Sequence, residues 1–271
     1  MSLIYIPKGK AREYSPLALN VYTGGCEHAC DYCYCANIQA WTRTPNVRQL
    51  AGLSRDAAAA DEQVLLSFMS DPYQPLESTA RNTLAALTVL RAHRCSVAIL
   101  TKGGTRCLRD LELFKAWPES RIKIGATLTF LDPAKSITHE PGAALPQDRI
   151  DALRILRDNG VKTWASIEPV IDPEESLSVI AAALPFLSGI KIGKLNHVRN
   201  NTDWKRFGEQ AVTMVRESGV PLYVKDDLRA AMPGFVFTAE EGTADSLCLS
   251  KRKQEKDLWE SAESNPLQQM N

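Results

Sequence analysis

Short apolar runs punctuate the chain at residues 17–22, 64–69, 96–101, 122–128, 162–167, 189–195 and 221–225. Each is followed by a longer stretch whose apolar positions recur at helical spacing. Strands buried on both faces read as continuous apolar runs, so this alternation predicts parallel βαβ units rather than hairpins. Residues 79–93 place Leu84, Leu87 and Leu90 on one helical side, and residues 146–159 open on Pro146 and stop just before Gly160, the start and stop signals of a helix. Residues 173–184 and 202–218 repeat the pattern, the second running into Gly219. Six or seven such repeats predict a complete or partial β/α barrel, in which functional groups collect at the C-terminal ends of the strands. After Arg229 the alternation stops, and the end of the chain from Lys251 is polar and charged.

With 271 residues, 44% of them hydrophobic and 24% charged, the chain can pack one sizeable core but is short for two independent domains. Its 32 basic residues balance 32 acidic ones, which excludes a highly cationic duplex-wrapping protein and leaves room for a local basic groove only. No run approaches the roughly 18 apolar residues of a membrane span. The N-terminal stretch is mixed and basic without a signal-peptide core, so a cytoplasmic protein with no membrane association is expected. The cysteines number seven, an odd count, and a chain of this size does not need disulfide staples. They ask for another explanation.

Cys26, Cys30 and Cys33 follow the first expected strand in a C-x3-C-x2-C spacing, preceded by Gly24 and Gly25, which give the loop backbone freedom. Three thiolates on one tight loop can hold three irons of a [4Fe-4S] cube and leave the fourth iron without a protein ligand. A zinc site borrowing His28 is the main alternative, although zinc modules usually pair two cysteine knuckles and no second knuckle is present. Three buried, inert thiols are the remaining reading.

This cysteine spacing after the first strand of a β/α chain, with aromatic Tyr32 before the third cysteine, resembles the radical S-adenosylmethionine (SAM) superfamily. Asn20, Tyr22, His28 and Tyr34 around the cysteines, Ser70-Asp71-Pro72-Tyr73-Gln74-Pro75 with Glu77, Thr101-Lys102, His139-Glu140-Pro141 and Ser166-Ile167-Glu168-Pro169 resemble its spore photoproduct lyase-like branch, often called DNA repair photolyases. The likeness runs from about Lys8 to Lys225.

The resemblance implies an α/β partial TIM-type (β/α)6 barrel over residues 1–229, with residues 230–271 as a short C-terminal extension, helical or partly disordered. It implies a [4Fe-4S] cluster on Cys26, Cys30 and Cys33. It further implies SAM chelated by the open iron, and one-electron reduction that yields a 5′-deoxyadenosyl radical for hydrogen abstraction. A reductant such as flavodoxin or ferredoxin is then a partner, and a nucleic-acid lesion or base is the candidate substrate, with RNA, a nucleotide or a peptide as alternatives; a non-catalytic iron-sulfur protein acting as a sensor or binding module is the alternative from another class.

By the same resemblance Ser70 and Asp71 lie near the SAM amino group, Lys102 near its carboxylate, and Thr127 or Thr129 near the ribose. Tyr32 and Asn196 join the cofactor-binding set, and Lys102, Glu168 and Tyr73 the catalytic set. One departure stands out. The lyases place a hydrogen-donating cysteine two residues before the Ser-Asp pair, and here that position is Phe68. Cys35 is the nearest stand-in, and its plainer reading is a small packed residue.

Other residues carry a bland reading beside the functional one. Lys102 ends an apolar run before Gly103 and Gly104, as a ligand for an anion or a solvated loop lysine. Glu168 and Glu140 precede prolines and are candidate acid-base or ribose-binding groups, or backbone caps. Asp71 and Glu77 flank Tyr73 in a proline-pinned loop, facing a ligand or capping the turn. His28 is expected to stabilise its loop, Lys225 is a weaker mouth candidate, and Trp164 is expected in the core.

Overall fold

The computed structural model describes residues 2–37, 42, 44–195 and 201–249. Apolar runs that bury both faces must satisfy their backbone through neighbouring strands on each side, and they do so here in one sheet. The strands are β1 (Ile4–Tyr5), β2 (Leu17–Leu19), β3 (Tyr22–Thr23), β4 (Asn46–Val47), β5 (Val64–Leu66), β6 (Val97–Thr101), β7 (Ile122–Thr127), β8 (Lys162–Ile167), β9 (Ile190–Ile192) and β10 (Leu222–Val224). The helices are α1 (Leu53–Ala59), α2 (Glu77–Ala80), α3 (Asn82–Ala92), α4 (Leu111–Lys115), α5 (Pro133–His139), α6 (Pro146–Asp158), α7 (Pro173–Ala183), α8 (Trp204–Ser218) and α9 (Asp226–Ala230).

Seven strands run parallel in the order β2-β5-β6-β7-β8-β9-β10, with β1 antiparallel on the β2 edge. Six β/α crossovers therefore link seven strands, and among the described residues no ladder joins β10 back to β1. The result is the expected α/β partial barrel. β3 and β4 form a small separate pair inside the first crossover. Among the described residues no helix is long and apolar enough to cross a membrane.

The strands expected over 17–22 and 64–69 each end three residues early, and Asn20 explains both. Its Oδ1 accepts the backbone N–H groups of Phe68 (2.8 Å) and Met69 (3.1 Å), so the chain leaves the ladder after Leu19 and after Leu66. The helix expected over 79–93 breaks at Arg81, whose φ is 51°. Asn82 donates to the carbonyls of Val21 and Arg48, and the Glu77 carboxylate accepts the N–H of Thr83 at 2.9 Å, starting a new helix there. α8 follows the sequence signals, with Asp203 accepting from Arg206 N at 3.0 Å and Gly219 left-handed after its end.

Side chains alternate across the sheet. Ile122 and Ile124 of β7, Ile190 and Ile192 of β9, and Leu222 and Val224 of β10 pack outward against helices. Inside, Trp164 joins Leu65 and Ala98 and donates its indole N–H to Ile99 O at 3.0 Å, which confirms its core role.

The N-terminal end of the interior, here called the floor, is closed by the chain after α9. Residues 231–249 carry no helix or strand. Lys123 donates to the carbonyl of Leu247, Lys191 to the carbonyls of Glu13 and Ala244, and Leu249 N to Gln63 Oε1 at 3.0 Å. The remainder of the expected extension, residues 250–271, lies outside the described residues.

Candidate functional site

The loop after β3 carries Cys26, Cys30 and Cys33, each half-buried and none in a disulfide. It is fastened from three sides. Gly142 N donates to His28 O at 3.0 Å, and Gly142 must be glycine because a Cβ there would overlap the Glu27 carbonyl. Glu27 N donates to Gln74 Oε1 at 3.0 Å, and the Glu27 carboxylate accepts Leu76 N at 2.5 Å. His28 is buried between Asp71 (3.4 Å) and Arg106 (3.3 Å), a loop-stabilising position.

Asp71 ties this loop to the end of β6. Its carboxylate accepts Thr101 Oγ1 and Lys102 N, both at 2.6 Å, and Tyr73 N at 2.8 Å. Burial would raise its pKa, but His28 and these donors hold it below the usual carboxylate range. Asp71 thus serves its neighbours with both oxygens. Ser70 differs: its hydroxyl is buried and has no hydrogen-bond partner among the described residues.

Lys102 extends from the end of β6 to the cysteine loop. Its Nζ lies 2.7 Å from Tyr32 Oη, 3.3 Å from Glu140 Oε1 and 3.8 Å from Cys30 Sγ. Glu140 is also bonded by Tyr32 and by Arg149 of α6, and Thr129 donates to it at 3.1 Å. Burial pushes the Glu140 carboxyl up, yet Lys102 and Arg149 outweigh that and hold it at about 2. Lys102 is disfavoured as a cation by burial, but Cys30, Tyr32 and Glu140 raise it well above the ordinary value. The charged form of this lysine is thereby maintained in a buried place.

A second group sits on the β8 to β10 side. Glu168 accepts Tyr14 Oη at 2.6 Å and pairs with Lys225, while Tyr14 also meets Ser166 Oγ at 2.9 Å. Lys225 lies 3.4 Å from Glu13, which accepts Tyr223 Oη at 2.9 Å. Gly193 makes room, since a Cβ there would come 2.9 Å from Glu168 Cδ and 3.1 Å from Lys225 Cδ.

Of the residues expected from sequence, Cys26, Cys30, Cys33, Tyr32, Ser70, Asp71, Lys102 and Thr129 come together, and Glu168 lies in the second group. Thr127 ends β7 and contributes its carbonyl to Arg149 at 3.1 Å. Tyr73 does not join them. Its ring is buried in the outer core and its hydroxyl donates to Asp110 at 2.9 Å, so no catalytic role is carried forward for it. Asn196 lies outside the described residues. Cys35 is buried, its Sγ 3.9 Å from Phe68 O and in a side-chain hydrogen bond with Cys33. Arg149, Tyr14 and Glu13 join these groups without any signal in the sequence pattern.

Among the described residues no three His, Cys, Asp or Glu side chains converge on a single-ion site. Three thiols spread along one loop are instead a donor set for a cluster, which offers each thiolate its own iron. Burial raises the thiols of Cys26, to about 12, and Cys30, so metal uptake must displace their protons. The unpartnered Ser70 hydroxyl beside them fits a polar cofactor that completes the site.

Residues 20–186 match the sequence model of the radical SAM superfamily, and the chain belongs to that superfamily of enzymes. It is similar to an uncharacterised protein of Methanocaldococcus jannaschii, 30% identical over 200 residues, 71% of this chain and 74% of that protein. An uncharacterised protein of Mycobacterium tuberculosis is 27% identical over 201 residues, 66% of this chain and 58% of that one.

Among solved structures it is similar to Streptococcus suis SuiB bound to S-adenosylmethionine, with TM-score 0.61, 13% identity, and coverage of 82% of this chain and 53% of SuiB. Spore photoproduct lyase complexed with dinucleoside spore photoproduct gives TM-score 0.55, 14% identity, and coverage of 75% and 62%. At these identities the likeness is one of fold. The chain spans about half the length of SuiB.

Proposed function

We propose that Cys26, Cys30 and Cys33 bind a [4Fe-4S] cluster whose open iron takes SAM. When reduced by a one-electron donor such as flavodoxin or ferredoxin, the cluster would supply the electron that cleaves SAM to methionine and a 5′-deoxyadenosyl radical able to abstract hydrogen from a substrate. The observation that carries this reading is the set of three thiols on one loop, with the Cys26 thiol against the backbone of Asp71, the neighbour of a Ser70 whose buried hydroxyl has no partner among the described residues.

In this reading Ser70 accepts from the SAM amino group and Lys102 faces its carboxylate. Asp71 fixes the end of β6 that carries Lys102. Tyr32 and Glu140 orient the ammonium, and Thr127 or Thr129 serves the ribose; Asn196, outside the described residues, keeps its cofactor-binding role by resemblance alone. Glu168, held by Tyr14 and Lys225, serves the substrate side as an acid-base or binding group. The catalytic unit is residues 1–229, and residues 244–249 of the extension close its floor.

The substrate in the first reading is a nucleic-acid base or lesion. Phe68 stands where the lyases place their hydrogen-donating cysteine, and the net charge is zero. Both observations support a second reading, modification of RNA, a nucleotide or a peptide. Electron paramagnetic resonance of the anaerobically reconstituted, dithionite-reduced protein tests the cofactor assignment. A cluster signal whose shape changes on adding SAM is expected, and a signal indifferent to saturating SAM contradicts the assignment. For the substrate, affinity for DNA or RNA that falls steeply with salt supports the first reading, because the slope counts phosphate contacts; no such binding favours a peptide or small molecule.

A further inference from the structure

The loop between β5 and α2 carries two buried polar atoms without a hydrogen-bond partner, the Ser70 hydroxyl and Nε2 of Gln74. Gln74 is 1% exposed. Its Oε1 accepts the backbone N–H of Glu27, and because a peptide N–H can only donate, that bond fixes which end of the amide is oxygen. Nε2 is thereby held close to the peptide joining Cys26 to Glu27. Among the described residues no acceptor pairs with Nε2.

A buried amide donor without an acceptor has lost its hydration and gained nothing in return, so it points to a partner that arrives later. That partner must accept a hydrogen bond and must sit on the Cys26 side of the loop. Sulfur of an iron-sulfur cluster meets both conditions.

We propose that Gln74 Nε2 donates a hydrogen bond to an inorganic sulfide of the cluster next to the Cys26–Glu27 peptide, and so raises the reduction potential. The proposal rests on the reading of Cys26, Cys30 and Cys33 as ligands. Reduction adds negative charge to the sulfurs, so a donor stabilises the reduced cluster more than the oxidised one. The same amide holds the Glu27 N–H, which keeps donor and ligand loop in fixed register.

The test is a potentiometric titration of the full-length protein, reconstituted anaerobically with iron and sulfide, without SAM. Gln74→Glu keeps the oxygen for Glu27 N–H and replaces the donor by an anionic acceptor; Gln74→Leu removes both. Iron content equal to wild type is expected for Gln74→Glu. Its reduction equilibrium is expected to shift at least tenfold toward the oxidised form, 59 mV downward for a one-electron couple. Gln74→Leu is expected to shift the same way by less. Loaded clusters with unchanged potentials in both variants overturn the proposal and leave the ligand assignment standing. A wild-type protein that takes up no iron and sulfide overturns the ligand assignment itself.

Discussion

At the mouth, Lys102 and Lys225 face carboxylates, Glu140 for one and Glu168 with Glu13 for the other, and both keep raised pKa values despite burial. At the floor, Lys123 and Lys191 are equally buried but meet carbonyl oxygens and aromatic rings. Burial there lowers them to about 8 and about 7. A carbonyl dipole cannot offset the desolvation of an ammonium as a full negative charge does. The sheet therefore keeps permanent cations where an anionic cofactor or substrate would bind. At its other end it uses lysines as hydrogen-bond donors that hold the chain after α9 in place.

The largest break in this comparison comes at the mouth. Replacing Cys26, Cys30 or Cys33 singly by Ala is expected to abolish stable cluster loading, read as iron per chain after anaerobic reconstitution. Wild-type iron in any of the three variants would remove that cysteine from the ligand set.

Next in size is the Arg149–Glu140 pair, both members essentially without solvent exposure. Arg149→Met leaves Glu140 with one cation fewer and is expected to cost about 3–5 kcal/mol in urea denaturation at pH 7. The Glu140 carboxyl sits at about 2 in the fold against 4.5 ordinarily. Its pairing therefore stabilises fully above pH 4.5 and is lost as pH falls toward 2. Wild type should lose this increment across that window.

The floor carries the opposite sign. Between about pH 7 and 10.5 the unfolded chain binds more protons at Lys123 and Lys191 than the folded one does. These two groups therefore make stability rise with pH through that window. Lys191→Met should flatten the rise in denaturation midpoints measured from pH 7 to 10. An unchanged slope would contradict a depressed lysine at the floor.

The smallest stability effect separates cofactor chemistry from folding. Ser70→Ala removes a hydroxyl with no partner, so its denaturation midpoint should match wild type within about 0.5 kcal/mol. SAM affinity of the reconstituted variant should fall about tenfold, the worth of one hydrogen bond to a charged group. Unchanged affinity would remove Ser70 from the cofactor site.

Much of this layout was legible in sequence where a local rule reports it. The parallel strands show as apolar runs, and the cysteines, Ser70 and Lys102 fall at or just after strand ends, where the barrel rule places function. Other features were set by contacts far apart in the chain. Arg149 reads as an ordinary position of an amphipathic helix, and only the fold brings it to Glu140. Tyr14 precedes a strand without any motif, yet its hydroxyl reaches Glu168 across 154 positions of chain. Tyr73 shares a proline-pinned loop with Ser70, and sequence proximity suggested a shared site; the turn instead sends its ring into the outer core beside Phe114, 6.5 Å between centroids. The run 17–22 ends early as a strand because one asparagine side chain takes over two backbone donors.

Reductive SAM chemistry is proposed for the mouth and not for the floor. Its most direct test is quantification of 5′-deoxyadenosine after anaerobic reconstitution, dithionite reduction and addition of SAM, comparing wild type, Cys30→Ala and Lys191→Met. The account predicts product from wild type and from the floor variant, and none from Cys30→Ala. A fully loaded wild-type cluster that yields no 5′-deoxyadenosine, or equal yield from Cys30→Ala, would contradict it.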